Sequence, residues 1–381
     1  MSEFAYAEAL RALAEGAAAD LDQILASACA PASDPVVYLA DFSRQALFPL
    51  AAGTPEEQVA GTLAGRAFTT GKPVTSARDG HVRVWVPVVE QTARIGVLAV
   101  SFPEADPGSI AQAELLGAFA GLIVTGMSRV SDTPLVRRRL VRMSLPASIQ
   151  WDLLPPWSTR VPGALIAGIL EPAYDIAGDA FDFAADEGTV NFAIVDGMGH
   201  GISSTMLTGL AVGAYRHARR DAVPLPDIHV AIDEALSSGY DDLSFATGIL
   251  GSLSTSTGRL GWTCAGHPRP LLLRDRTVVA ELECEATLPF GLGTGAPVVS
   301  YYDLEPGDMV LLYTDGVTEA RADGEQFGLD RLIDFVEREA ASEQPPEELL
   351  RRLVQELLAY QGSGLRDDAT MLLLQWTSTR S

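Results

Sequence analysis

The chain has few cysteines and few basic residues, and each shortage excludes a class of protein. Its 381 residues include three cysteines, Cys29, Cys264 and Cys284, and no pair has CxxC spacing. A disulfide framework and a thiolate zinc site are therefore excluded, and a reducing compartment is expected. Lys and Arg number 27 against 50 Asp and Glu, which gives a net charge of −23. Such a surface repels phosphate backbones and anionic lipid, so we expect neither a nucleic-acid partner nor a membrane.

Long apolar runs are also lacking. The longest, from Leu115 to Met127, falls short of the ~20 residues that cross a bilayer. The N-terminal stretch MSEFAYAEALRALAEG has neither the basic nor the apolar region of a secretion signal. We therefore expect a soluble, cytoplasmic protein. Hydrophobic residues make up 47% of the chain, which is ordinary globular usage, and its length predicts about two domains.

The residue pattern predicts an α+β protein. Tyr6 to Cys29 has helical periodicity, whereas Val82 to Val89 and Arg94 to Phe102 are β-rich runs. A basic, proline-punctuated stretch follows, and after it strands dominate among four helices without regular βαβ alternation. We divide the chain into a small α/β domain at 1–130, a helical connector at 131–160 and a larger domain at 161–381.

Four acidic clusters stand at the ends of predicted strands: AGDAFD (177–182), VDGMGHG (195–201), YTDGVTE (313–319) and RDDAT (366–370). Any one of them alone is explained by an ordinary turn or helix cap. Because apolar strands repeatedly end in Asp, however, carboxylates from separate strands are able to meet at one edge of a sheet. Oxygen ligands without a Cys or His cluster select Mg²⁺ or Mn²⁺ over zinc.

Five blocks in chain order give the sequence a specific resemblance: PAYDIAGDAFDF, VDGMGHG, CAGHPRPLLL, GDMVLLYTDGVTEARADGEQFG and RDDATMLLL. Together they resemble the stage II sporulation protein E type of metal-dependent serine/threonine phosphatase. The resemblance implies a layered α-β-β-α catalytic domain. SIQWDLLP resembles the helix that precedes such domains, and AGRAFTTGKPV with the two β-rich runs resembles a GAF sensor domain.

The resemblance also implies a site with two Mn²⁺ or Mg²⁺ ions. Asp196 matches the carboxylate that bridges the ions, and the Gly197 carbonyl matches a ligand of one of them. Asp315 and Asp367 match the carboxylates that complete the second ion's ligands. Asp179 matches a carboxylate that reaches the ions directly or through water. Two further acidic residues are either supporting groups or merely solvated or capping carboxylates: Asp182 and Asp368.

Two such ions would activate a water molecule that attacks phosphorus, so no covalent intermediate is needed. The general acid is left open between His200, a water molecule and no acid at all, because Met198 stands where eukaryotic relatives have a histidine. His267 is interpreted as a residue that anchors a loop. Cys264 lacks an accompanying Cx5R pattern and is interpreted as a buried strand cysteine.

By resemblance, the substrate is a phosphoserine or phosphothreonine on an anti-anti-sigma (STAS) protein. Two other functions stay open: a catalytically inactive scaffold with a phosphatase fold, and a phosphoesterase for small molecules. The GAF-like domain either binds a small ligand or only dimerises, and we expect a homodimer formed through its helices. The connector is either a regulatory switch or a passive tether.

Overall fold

The computed structural model describes residues 25, 31–78, 80–104, 106–172, 174–175, 178–186, 188–239, 244–293, 295, 297–322, 324–342, 344–362, 365 and 367–378. The chain divides into two compact units, Met1–Arg142 and Met143–Ser381. The break falls inside the predicted connector. Both units combine helices with sheets, as the sequence predicts. Apart from Leu25, which is buried, the predicted helix at 6–29 lies outside the described residues.

The first unit is built on a six-stranded antiparallel sheet, sheet I, with the strand order β3-β2-β1-β6-β5-β4. Its elements are β1 (Ser33–Ala40), β2 (Ala46–Pro49), β3 (Glu57–Gln58), α1 (Leu63–Thr70), β4 (Val74–Arg78), β5 (His81–Glu90), β6 (Ala93–Phe102), α2 (Pro107–Met127) and α3 (Thr133–Arg137).

Helix α2 packs closely on this sheet. Every second residue of β5, including Val84 and Val86, joins a buried cluster with α2 residues such as Leu116 and Ile123. A Cβ at Gly121 would lie 1.9 Å from the Val89 carbonyl oxygen, so glycine permits this close approach. The helix is long and apolar enough to span a membrane by length and composition, but half of its most apolar window is buried inside the unit. That burial is typical of a core helix.

The second unit contains the remaining elements, in chain order: α4 (Leu145–Leu153), β7 (Ser158–Val161), β8 (Ala164–Glu171), β9 (Asp179–Asp186), β10 (Thr189–Gly197), α5 (Ile202–Arg220), α6 (Leu225–Gly239), β11 (Ala246–Ser254), β12 (Arg259–Ala265), β13 (Leu271–Arg274), β14 (Thr277–Glu281), β15 (Ala286–Thr287), β16 (Ser300–Asp303), β17 (Met309–Tyr313), α7 (Asp315–Glu319), β18 (Arg321–Ala322), β19 (Glu325–Gln326), α8 (Gly328–Ala340), α9 (Pro346–Gln361) and β20 (Ala369–Trp376).

Two large sheets form the body of this unit. Sheet II has the order β15-β12-β11-β10-β9, with β16 also paired to β12, and sheet III has the order β14-β13-β17-β20-β8-β7. The side chains of β8 alternate between two buried clusters. Ile166 and Leu170 join a cluster that lies between the two sheets. Leu165 and Ile169 join a cluster with α8 and α9, so both faces of β8 are buried. On sheet II, Val195 and Leu250 pack against α5 and α6.

Candidate functional site

Asp179 and Asp196 lie directly opposite each other on neighbouring antiparallel strands, β9 and β10. Directly paired residues present their side chains on the same face of a sheet. That face is the one toward sheet III, because Phe181 and Ile194, which share it by alternation, belong to the cluster between the two sheets. The acidic ends of two strands therefore meet at one edge, as the sequence predicts for its strand-end carboxylates.

Sheet III brings further acidic residues to the same edge. Asp315 begins α7 two residues after β17, Asp368 directly precedes β20, and these two strands are paired through Tyr313 and Met371. The Asp179 N–H donates to Oδ2 of Asp368 at 3.3 Å. The ends of the two sheets are thus joined at the carboxylates themselves.

Burial and mutual repulsion raise the pKa values of these carboxyl groups. Burial, followed by the charges of Asp196 and Asp368, raises the pKa of Asp179 well above its ordinary value. Burial and then the charge of Asp315 raise the pKa of Asp196 to about 7, and burial raises the pKa of Asp368 to about 7. Burial also raises the pKa of Asp315, with a second contribution from the charge of Glu319. The cluster carries more buried negative charge than its protein surroundings compensate.

This chemistry fits divalent cations bound by oxygen. Oδ1 of Asp368 is buried without a hydrogen-bond partner, and a bound cation would satisfy such an atom. Within the residues that the structure describes, no three acidic, histidine or cysteine side chains already converge as ligands of one ion.

Asp367 and His200 are both exposed to solvent. The charge of Asp367 acts on Asp196 and on Asp315, so it belongs to the same electrostatic cluster. His200 lies in the turn between β10 and α5, three residues beyond Gly197. The structure therefore brings Asp179, Asp196, Asp315, Asp367 and Asp368 into one neighbourhood.

Two hydroxyl groups that the sequence analysis missed fix the backbone beside Asp196. Ser204 Oγ donates to the Gly197 carbonyl at 2.7 Å, and Thr208 Oγ1 donates to the Gly178 carbonyl. The Gly197 N–H also donates to the Gly178 carbonyl at 3.0 Å. A Cβ at Gly197 would lie 2.4 Å from Thr208 Oγ1, so this position requires glycine. The spacing of Ser204 and Thr208, four residues apart after a glycine-rich turn, was the available signal.

Asp182 is held on the opposite face of β9. Its carboxylate accepts hydrogen bonds from Arg216 Nη2 and Arg219 Nη1, both at 2.7 Å. Arg216 also donates to the carbonyl of Leu153 at the end of α4. Asp182 therefore links β9 to α5 through these hydrogen bonds. Its side chain points away from the acidic cluster, so any effect on the cluster would be indirect, through the position of that helix.

Helix α4 contacts the segment that leads into Asp179. Gln150 Nε2 donates to the Asp179 carbonyl. Ser144 caps the helix and donates through its N–H to the Tyr174 carbonyl at 2.8 Å and through Oγ to the Asp175 carbonyl at 2.6 Å. A part of the predicted connector is therefore packed into the second unit, directly behind the site.

His267 and Cys264 lie in the interior beside the site. His267 Nδ1 is 2.8 Å from Thr247 Oγ1, and Thr247 is the strand partner of Asp196. Burial lowers the pKa of His267 to about 3, so the ring is neutral. Cys264 is buried in β12, and its thiol donates to the His267 carbonyl at 3.4 Å. Both residues have the structural surroundings that the sequence analysis gave them.

Comparison with known proteins identifies a family. A family model described as "Stage II sporulation protein E (SpoIIE)" matches residues 186–377, a range that contains Asp196, Asp315, Asp367 and Asp368. The match covers half of the chain and confirms the family resemblance; four of the five sequence blocks lie within it, and PAYDIAGDAFDF, which contains Asp179, precedes it.

Two curated relatives match over about three fifths of the chain. "Phosphoserine phosphatase RsbU" of Bacillus subtilis is 28% identical over 246 residues, which are 61% of this chain and 69% of RsbU. "Protein IcfG" of Synechocystis sp. is 24% identical over 267 residues, which are 62% of this chain and 40% of IcfG. The chain therefore spans less than half of IcfG.

Two solved structures share the fold of the matched region. The RsbU and RsbW domains of Rv1364c from Mycobacterium tuberculosis are 28% identical, with a TM-score of 0.51, and the match covers 58% of this chain and 63% of that one. The SiaA-PP2C domain of Pseudomonas aeruginosa is 24% identical, with a TM-score of 0.52, and the match covers 60% of this chain and 94% of that one. The second match shows the fold alone, which is that of a PP2C domain.

Proposed function

The chain belongs to the stage II sporulation protein E family, and from that premise we propose that it is a metal-dependent protein phosphatase. Its substrate would be a phosphoserine or phosphothreonine on a bacterial signalling protein. The observation that supports this most is the meeting of buried Asp179 and Asp368 with half-buried Asp196 at the joined ends of two sheets. The name of RsbU, phosphoserine phosphatase, agrees with that chemistry.

In this proposal, two Mn²⁺ or Mg²⁺ ions would be held by Asp196, the Gly197 carbonyl, Asp315, Asp367 and Asp179. When bound, such ions supply an activated water and compensate the charge of the phosphoryl group. The other described residues position these ligands: Ser204 orients the Gly197 carbonyl, and Thr314 holds Asp179 by a hydrogen bond to Oδ2. For the leaving oxygen, the general acid stays open between exposed His200, a water molecule and no acid at all.

The substrate that we propose is a phosphorylated anti-anti-sigma (STAS) protein of a partner-switching pathway. The structure of RsbU and RsbW domains from one mycobacterial protein supports a place in such pathways. We further propose that the first unit, with helix α2 on an antiparallel sheet, is a GAF-like sensor that regulates a four-layered α-β-β-α catalytic unit, that the chain forms a homodimer, and that it works in the cytoplasm.

One assay tests the activity and its alternatives. The purified chain is incubated with Mn²⁺ and either phosphorylated STAS proteins of its host or p-nitrophenyl phosphate. Release of phosphate from the protein far in excess of release from the small ester supports the proposal. A preference for the small ester indicates a small-molecule phosphoesterase, and activity on neither substrate indicates a scaffold.

A further inference from the structure

Helix α5 exposes large apolar side chains on the side that does not pack on sheet II. Ile202, Met206 and Leu210 follow one another at four-residue spacing, and Met198 precedes them by the same interval. These four side chains are between 36% and 58% exposed. Residues four positions apart lie on the same side of a helix, so Ile202, Met206 and Leu210 form a row along α5, and Met198 lies in the turn just before it.

A second apolar segment lies close to the start of this row. The Met198 N–H donates to the Phe245 carbonyl at 3.0 Å, and the next residue, Ala246, is hydrogen-bonded in both directions to Phe290. Leu288 and Leu292 flank Phe290, and both are exposed. We use the name apolar strip for this whole set of side chains: Met198, Ile202, Met206, Leu210, Leu288 and Leu292.

The backbone beneath the apolar strip is held in place. Asp233 Oδ1 accepts the N–H groups of Gly291 at 2.7 Å and Gly293 at 3.2 Å. Phe290 is fully buried in a cluster with residues of α5, α6 and sheet II. The segment that carries Leu288 and Leu292 is therefore held by hydrogen bonds and packing, and a backbone held in this way loses little conformational entropy when it binds a partner.

The apolar strip begins at the site. Met198 is two residues beyond Asp196 and directly follows Gly197, so the near end of the strip adjoins the acidic edge. With a net charge of −23, the rest of the chain gives an anionic phosphoprotein no long-range attraction. Apolar surface gives contacts that this charge does not weaken, and methionine adapts well to such contacts.

We propose that the apolar strip is the docking surface for the phosphoprotein substrate, and that it binds apolar side chains lying beside the phosphorylated residue on the folded substrate. This inference rests on the proposed phosphatase function. It assigns recognition of the protein to the strip and recognition of the phosphate to the acidic edge. A small phosphate ester touches only the acidic edge.

The test replaces Ile202, Met206 and Leu210 by glutamine in one triple variant. Glutamine is uncharged and suits a helix, so neither repulsion of the substrate nor loss of α5 is introduced. The control is Val279→Gln, which changes a residue of similar exposure on edge strand β14. Each protein is assayed at saturating Mn²⁺ with a serine-phosphorylated STAS protein of the host and with p-nitrophenyl phosphate. Its mass in solution is measured by light scattering.

We expect the triple variant to lose roughly 30-fold in kcat/KM on the phosphoprotein, mainly through KM, because a few central apolar residues dominate docking. Turnover of p-nitrophenyl phosphate stays within about twofold of the unsubstituted chain, and Val279→Gln changes neither rate. If the triple variant unfolds by circular dichroism, Met206→Gln alone is used, with an expected loss of roughly threefold.

Three results would overturn the inference: an unchanged kcat/KM on the phosphoprotein, an equal loss on both substrates, or a change in oligomeric mass that accounts for the loss. The third result would make the strip a contact between copies of the chain. Failure of the proposed function is a different observation, because the unsubstituted chain itself would then leave the phosphoprotein intact.

Discussion

Thr314 Oγ1 donates a hydrogen bond of 2.7 Å to Oδ2 of Asp179. The two residues are 135 positions apart: Asp179 begins β9 of sheet II, and Thr314 directly follows β17 of sheet III. Thr314 also accepts the N–H of Thr370 at 3.0 Å, so its hydroxyl is fixed from the side of β20. One buried hydroxyl therefore sets the orientation of a carboxylate on the facing sheet.

Replacing this hydroxyl is predicted to weaken metal binding. Thr314→Val keeps the size of the side chain but leaves Oδ2 of Asp179 without its donor, and we expect Mn²⁺ affinity to fall roughly tenfold. Isothermal titration with Mn²⁺ measures this loss. Thr314→Ser, which retains the hydroxyl, is the matched control and stays near the original affinity. Equal affinities for the valine and serine variants would contradict the role given to the bond.

Asp196→Asn and Asp315→Asn are each predicted to abolish turnover. Each change removes an anionic ligand, which weakens both metal affinity and the activation of water. The fold survives, since uncompensated negative charge is removed from a repulsive cluster. Turnover and Mn²⁺ titration are measured together on each variant. A variant that keeps half of the original turnover at matched metal occupancy would refute its assignment as a ligand.

His200→Ala is predicted to reduce turnover much less than either aspartate change, by roughly tenfold or less. The side chain is exposed, and water has access to the same region. Single-turnover rates on a phosphopeptide give the comparison. A loss as large as that of Asp196→Asn would identify His200 as an indispensable acid or as a structural support of the turn.

Gln150→Leu is predicted to lower turnover several-fold without preventing folding. The variant keeps the volume of the side chain but removes the donor to the Asp179 carbonyl, so α4 no longer fixes the start of β9. Asp152→Asn, a change on the same helix, is the control. If α4 is a passive tether, both variants will have the turnover of the unsubstituted chain at saturating Mn²⁺.

His229 is predicted to make the protein less stable in acid. Burial lowers its pKa to about 4 in the folded chain, against 6.5 as the ordinary value. Above pH 6.5 the ring is neutral in both states and its contribution is fully present. As the pH falls from 6.5 toward 4, the unfolded chain binds a proton that the folded chain does not, and stability decreases by roughly 1 kcal/mol per pH unit.

Urea unfolding of the original chain and of His229→Leu between pH 7 and pH 4 tests whether stability decreases in this way as the pH falls. The variant is less stable at pH 7, because it loses the contacts of the ring with Thr263 and Thr287. Its stability then changes less steeply with pH. Parallel curves for the two proteins would show that His229 does not carry the effect.

The elements and the family were predictable because their signals are local. The apolar periodicity predicts helices at 226–237, 329–341 and 346–360, which are α6, α8 and α9 to within two residues at each end. Strand β10 ends at the aspartate-glycine pair that marks it. The five motif blocks are contiguous in the sequence, so their resemblance does not depend on knowing the fold.

The contacts across the site were not predictable in the same way. The bond from Thr314 to Asp179 depends on how two sheets pack, and no pattern within either strand encodes that packing. That Asp182 lies on the face of β9 opposite to Asp179 could be predicted, because residues three apart on a strand point to opposite faces. The packing of α4, a part of the predicted connector, against the second unit was not predictable either. Its contact through Gln150 is made to a backbone atom, which has no sequence signature.

The pairing of Asp179 with Asp196 sets a limit on how the length of this protein can vary. The two carboxylates share a face only in the present register of β9 and β10, and the hairpin between Asp186 and Thr189 fixes that register. Deleting or inserting one residue within either strand would exchange the faces of every side chain beyond it, and would turn Asp179 toward α5. Natural variants are therefore expected to accept insertions between α8 and α9, but no insertion or deletion of one residue within β9 or within β10 up to Asp196.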